Sequence, residues 1–215
     1  MRNITALFLC LGLSSPFPTQ EGKAGKEKEE GFVSLFDGRT LSGWKGRPEL
    51  WKVKDGVIVG STKPNGITFN TFLIGEKEYS NFILKLEFKF MGGNSGVQFR
   101  SRPTGDPQRL AVSGYQADIG ERYFGALYDE ARRNRLLKSP DNPTVAKAYK
   151  KDDWNEYEIR AMGENLHLLL NGIPTVTYQE SEKDIPRKGI IALQLHGGPP
   201  MEVHFKNIRI KSLDG

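Results

Sequence analysis

Nine consecutive residues constrain this chain more than any others. In Phe82-Ile83-Leu84-Lys85-Leu86-Glu87-Phe88-Lys89-Phe90, every second position carries a large apolar side chain, and Lys85, Glu87 and Lys89 fall between. Successive side chains on a strand point to opposite faces, so this segment has one buried and one wet face and is too regular to be a helix. The same two-residue rhythm recurs in short pieces along the chain. Trp51 to Gly60 reads as a hairpin about the Asp55-Gly56 pair, and Asn165 to Tyr178 as another about Asn171-Gly172. Such pairs tolerate the left-handed backbone that two-residue hairpins need. Phe69 to Ile74, Asn155 to Ala161, Gly189 to His196 and Val203 to Leu213 supply further strands. In the last, Val203, Phe205, Ile208 and Ile210 change parity, which predicts a bulge near Asn207. Roughly a dozen short strands separated by turn signals predict an all-β sandwich of two antiparallel sheets. Arg122 to Ala148 lacks clear strand rhythm and holds Gly and Pro, so it reads as a long structured loop, with a short helix as the other option.

Polar residues also fall on one parity, in three strands. Gln98 and Arg100 oppose Val97 and Phe99; Gln116 and Asp118 oppose Tyr115, Ala117 and Ile119; Gln194 and His196 oppose Leu193 and Leu195. A purely wet face usually carries Lys, Glu and Thr. Arg, Gln, Asp and His instead suit hydrogen bonding to a polyhydroxylated ligand.

The 215 residues divide into three parts. Arg2, the apolar run Ile4 to Leu13 and the following Ser and Pro residues predict a signal peptide over 1–19. The run is too short to span a bilayer. Residues 20–30 alternate Lys and Glu as a charged linker, and 31–215 form the sandwich domain. The only cysteine, Cys10, lies inside the signal. Leu9 stands where a lipoprotein site expects a small residue, so no lipid anchor is expected. The mature domain must then hold together without disulfides. Export to the periplasm or the medium follows. The formal charge of +5 is spread along the chain with acidic residues between, which argues against nucleic-acid binding. No later segment could cross a membrane as a helix, and a monomer is expected.

Several pieces together resemble one family. They are Leu35-Phe36-Asp37-Gly38 with Leu41 and Gly43-Trp44, Asn94-Ser95-Gly96-Val97 with Phe99-Arg100, and Gly114 to Ile119. Gly125 to Glu130, Trp154-Asn155, Leu170-Asn171-Gly172, Leu193 to Gly197 and Phe205 to Ile208 follow in order. The set is similar to the 3-keto-disaccharide hydrolase domain family. Many members read Tyr-Glu-x-Gln where this chain has Tyr115-Gln116-Ala117-Asp118, which moves the carboxylate two positions along the same strand face. The resemblance implies a concanavalin A-like jelly roll, bacterial export and cleavage of glycosides oxidised to a ketone at sugar carbon three.

Such chemistry needs a base for the proton on carbon two, a stabiliser for the enolate and an acid for the leaving group. The expected base is His196 or Asp118. Arg100, with Gln98 or Gln194, is expected to hold the oxyanion, and Glu130 or Asp129 to assist departure. Asn94, Gln116 and Tyr128 complete the expected substrate contacts. Each residue also admits a structural role. His196 could bond a backbone carbonyl, Asp118 could pair with Arg100, Asp129 and Glu130 could pair with Arg132 and Arg133, and Asn94 could merely turn the chain. His167 and His204 are expected to be structural or exposed, and Trp44, Trp51 and Trp154 more often core than sugar platforms. No cofactor is called for; a divalent ion on Asp118 or His196 stays open. Two other functions remain: a conventional glycoside hydrolase using Asp118 and Glu130, and a non-catalytic carbohydrate-binding or lectin-like module. The Glu-x-Asp-x-x-Glu signature of laminarinase-type enzymes is absent, since Asp118-Ile119-Gly120-Glu121 does not reproduce it.

Overall fold

The computed structural model describes residues 29–214. The expected signal peptide, with Cys10, and most of the charged linker lie outside the described residues. Glu29, at the linker's end, bonds Lys85 Nζ and Arg209 Nε and so lies against the domain.

The strands follow one another along the chain. The first half comprises β1 (Val33–Ser34), β2 (Trp44–Lys45), β3 (Trp51–Lys54), β4 (Val57–Ser61), β5 (Thr71–Tyr79), β6 (Phe82–Phe90) and β7 (Asn94–Pro103). The second half comprises β8 (Val112–Gly120), β9 (Leu127–Glu130), β10 (Arg135–Lys138), the helix α1 (Asn142–Ala148), β11 (Asn155–Met162), β12 (Asn165–Leu170), β13 (Ile173–Gln179), β14 (Gly189–Leu195) and β15 (Glu202–Ser212). One sheet runs β13-β12-β11-β6-β15-β4-β3, with β1 also paired to β15; the other runs β10-β9-β8-β7-β14-β5-β2. Every pairing is antiparallel, as the sequence rhythm requires. The strictly alternating segment is β6, central in the first sheet and buried at every second residue.

The core fills the space between the sheets. Phe82, Leu84, Leu86 and Phe88 meet Val97, Phe99, Tyr115 and Ala117 from the second sheet, all essentially inaccessible to water. Burial of such side chains contributes roughly 1.5–3 kcal/mol each, enough in sum to order a domain without covalent staples. Trp44 and Trp51 belong to this core. Trp154 is only half-buried and carries Lys206 Nζ 3.9 Å above its ring centroid. His167 bonds Thr177 and His204 bonds Glu202.

Both hairpin pairs adopt left-handed backbone, with φ of 50° and 77° at Asp55-Gly56 and 50° and 78° at Asn171-Gly172. The parity change in β15 is a bulge: its register against β6 shifts between Lys206 and Arg209, and Asn207 has φ 51°. The stretch from Arg122 to Ala148 is more regular than expected. It holds the β9–β10 hairpin and α1, whose N-cap Asp141 accepts from the Thr144 N–H. Strand alternation in Leu127-Tyr128-Asp129-Glu130 was masked because two of its four side chains are acidic and one of those is buried. Among the described residues no helix is long and apolar enough to cross a membrane.

Candidate active site

Even-numbered residues of the second sheet face away from the core. On β7 these are Asn94, Gly96 and Gln98; on β8, Gln116 and Asp118; on β9, Tyr128 and Glu130. Register places Gly96 opposite Asp118, Gln98 opposite Gln116, and Gln116 opposite Tyr128. The face is therefore a polar ladder across neighbouring strands. Beyond it, Phe72, Ile74, Val112, Ile190 and Ala192 form a smaller apolar cluster against which Leu110 packs.

A directional hydrogen-bond chain runs through the ladder. Ser101 Oγ donates to Gln98 Oε1 at 2.7 Å, Gln98 Nε2 to Gln116 Oε1 at 2.7 Å, and Gln116 Nε2 to Asp118 Oδ1 at 2.6 Å. Gly96 makes room for it: a Cβ there would lie 2.5 Å from Gln116 Cδ. The chain fixes one carboxylate oxygen of Asp118 and leaves the other for the space outside.

That space is a hollow of about 540 Å³. Asp118, Gln116 and Asn94 line it from β7 and β8, Tyr128 and Glu130 from β9, and His196 from the end of β14. Tyr123, Asn134, Leu136 and Asn70 complete the wall. Burial pushes the Asp118 carboxyl up from its ordinary 3.8 to about 7; the Gln116 hydrogen bond opposes this and the nearby Glu130 charge adds to it. Burial also raises the Tyr128 hydroxyl, as do the charges of Glu130 and Asp118, so it stays protonated and can donate. Asn94 Oδ1 is buried with no partner among the described residues. A sugar hydroxyl would satisfy it, since buried polar atoms are seldom left unpaired. His196 stands exposed at the rim with Nδ1 2.6 Å from Gly197 O. A carbonyl only accepts, so Nδ1 carries a proton, and in the neutral ring Nε2 is then an acceptor.

Not every residue expected in the site is there. Arg100 is turned away. A bulge in β7 between Phe99 and Arg102 puts Arg100 at φ 47° and breaks the parity that assigned it to the outer face. Its guanidinium is buried and donates to Ser80 O, Gly163 O and Asn81 Oδ1, so it neither pairs with Asp118 nor reaches a ligand. Gln98 lies beneath Gln116 as a link in the chain rather than a contact. Gln194 is wholly buried, does not line the hollow, and has no partner for either amide atom among the described residues. Asp129, odd-numbered, points inward opposite Tyr115 and is held by Arg132 and Arg133. Glu180 joins that cluster. Burial alone would raise its carboxyl, but Arg133 and the Tyr115 hydroxyl hold it down at about 2. This knot ties the β9–β10 turn to the end of β13.

Asn70, Tyr123, Asn134 and Leu136 were absent from the expected set. Asn70 is the second residue of the Phe69 to Ile74 run read as a strand, and the others lie in the stretch read as a loop. Among the described residues no group of three or more His, Cys, Asp or Glu side chains is arranged to hold a metal ion.

A two-sheet antiparallel sandwich with a carboxylate-bearing hollow on one outer face is a concanavalin A-like jelly roll. The profile of the 3-keto-alpha-glucoside-1,2-lyase-like domain matches residues 31–211, and the chain belongs to that family. A 3-keto-disaccharide hydrolase of Bacteroides thetaiotaomicron is 34% identical to it over 235 aligned positions, which cover 86% of this chain and 79% of that protein. A candidate glycosyl hydrolase of Parabacteroides distasonis, solved by crystallography, is 25% identical with a TM-score of 0.62 over 85% of this chain and 99% of the other. A carbohydrate-binding module of Bacillus subtilis shares the fold at 14% identity, with a TM-score of 0.59 over 79% of this chain and 96% of that one.

Proposed function

We propose that this glycoside-active enzyme cleaves 3-keto-glycosides by elimination and hydration. The observation that carries the reading is Asp118: a buried carboxylate, fixed on one oxygen, with a pKa of about 7, facing a hollow that also holds Glu130. A ketone at carbon three makes the carbon-two proton acidic. The free oxygen of Asp118 removes it, and a base that titrates near the working pH is best matched to that task. The resulting enolate oxygen is met by donors at the wall, of which the Tyr128 hydroxyl is the best placed by its protonation. The enolate electrons then return, the bond from carbon one to the aglycone oxygen breaks, and Glu130 gives that oxygen its proton. Water adds to carbon one of the enone while a proton returns to carbon two, so the sum is hydrolysis. His196 Nε2 and Asn94 Oδ1 accept from sugar hydroxyls. Asp118 is favoured over His196 as the base because it is buried and immobilised, whereas the imidazole is exposed. The signal-like residues 1–19 support action outside the cytoplasm.

The test is to incubate the protein with a 3-keto-disaccharide and with its parent disaccharide, in heavy water. Sugar released from the keto form alone, with deuterium at carbon two, is the expected result. Release from both without deuterium would mean a conventional glycosidase built on Asp118 and Glu130. Binding without release would mean a carbohydrate-binding module.

A further inference from the structure

Asn70 makes the most unusual contact in the hollow. Its Nδ2 donates to Glu130 Oε1 at 2.8 Å, and its Oδ1 accepts from the Gly197 N–H at 2.9 Å. Asn70 immediately precedes β5, and Glu130 ends β9. In the sheet these strands are separated by β14, β7 and β8. Four strand spacings of about 4.8 Å make about 19 Å, far more than two side chains bridge over a flat sheet. The bond instead joins two residues that both line the hollow, so Asn70 reaches Glu130 across the cleft.

The near end of this span is built firmly. Gly197 packs on the backbone of Phe69, where an added Cβ would lie 2.8 Å from the amide nitrogen and 2.9 Å from Cα. Gly197 also carries the carbonyl that receives His196 Nδ1. One amide thus fixes the acid from β9 against the corner that holds the imidazole. With Oε1 accepting from the Asn70 N–H, Oε2 is the oxygen left facing the hollow to carry the acid's proton.

We propose that Asn70 is a positioning residue that aims the protonated oxygen of Glu130 at the departing aglycone. The proposal rests on the reading of Glu130 as the leaving-group acid. As the bond from carbon one to the aglycone oxygen breaks, its electron pair stays with that oxygen and the proton on Glu130 Oε2 passes to it. Glu130 is left as a carboxylate that the Asn70 N–H stabilises. Asn70 itself touches no reacting atom.

Its effect must then depend on how much help the leaving group needs. The 3-keto-glucosides of methanol and of 4-nitrophenol separate these cases, because nitrophenolate departs without a proton. Asn70→Asp keeps an acceptor for the Gly197 N–H but removes the donor to Glu130; Asn70→Ala removes both. General acid catalysis contributes about 10²- to 10⁴-fold. Both variants are expected to lose about 10²-fold or more in kcat/KM on the methyl glycoside and less than about threefold on the nitrophenyl glycoside, with a native circular-dichroism spectrum for Asn70→Ala. Equal losses on both substrates, or no loss on either, would overturn the proposal. The unoxidised glycosides of the same two alcohols are run alongside. Turnover of those alone would refute the keto-sugar reading, yet the aglycone dependence of the variants would still decide the role of Asn70. Turnover of neither series would overturn both.

Discussion

Asp118→Asn should make this protein more stable and inactive at once, and the two effects should have opposite pH dependence from anything a simple cavity or clash would give. The substitution keeps the shape of the side chain and the oxygen that accepts from Gln116 Nε2. It removes only the charge. In the folded protein the carboxyl has a pKa of about 7 against an ordinary 3.8. At about 1.36 kcal/mol for each tenfold change in proton affinity, holding it ionised in the fold costs up to about 4 kcal/mol. Local relaxation reduces that figure, so about 2 kcal/mol is a conservative expectation, or about 4–8 °C in melting temperature for a domain of this size. The sign follows from linkage. Because the folded pKa is raised, the contribution of this group to wild-type stability is fully present below 3.8 and is lost as the pH rises to about 7. Wild type and variant should therefore melt together near pH 3.5 and diverge progressively up to pH 7, above which the gap stays constant. Activity runs the other way: wild-type kcat/KM should rise with pH through about 7, and the variant should lose about 10²- to 10⁴-fold. Differential scanning calorimetry across pH 3.5–8.5 measures the first effect and sugar release the second. A variant no more stable than wild type at pH 8, or a gap that does not change with pH, would refute the reasoning about burial. A variant of full activity would remove Asp118 from the chemistry.

Three further substitutions test other parts of the structure. Arg100→Ala should cost roughly 2–4 kcal/mol in urea unfolding, because it takes the donors from Ser80 O and Gly163 O and empties the buried space of the guanidinium, while leaving kcat unchanged in the folded protein; a lost kcat at intact stability would return it to the site. Gly96→Ala should push Gln116 aside and lower kcat/KM by about 10²-fold with little change in fold, measured by sugar release and circular dichroism. Arg133→Ala leaves the buried Glu180 without its cation and Asp129 with Arg132 alone, and should cost about 3–5 kcal/mol, read as a fall in the denaturation midpoint.

The sandwich was legible because its signals are local. Alternation in β6, the two left-handed turn pairs and the parity break near Asn207 each depend on neighbours in sequence, and each has its counterpart in the structure. The polar face was legible for the same reason: Asn94, Gln116, Asp118 and His196 sit in or beside strands whose parity persists, and all four line the hollow. Arg100 shows where that logic stops. A bulge resets parity within one residue, and nothing in Phe99-Arg100-Ser101 announces it. Asp129 and Glu130 fail differently: adjacent acids on a strand must face opposite ways, but only the position of the core says which faces in. Asn70 is invisible to any local reading, because its meaning comes from a partner 60 positions away, four strands off in the sheet order.

The donors in the chain from Ser101 to Asp118 all point the same way. Carboxamide groups hand on hydrogen bonds but do not pass protons, since that would require an imidic acid. The ladder is therefore an electrical contact and a protonic insulator. Whatever hydrogen ion the aspartate captures must leave by the way it came, into the sugar or the water above it. The interior of the sheet offers no back door.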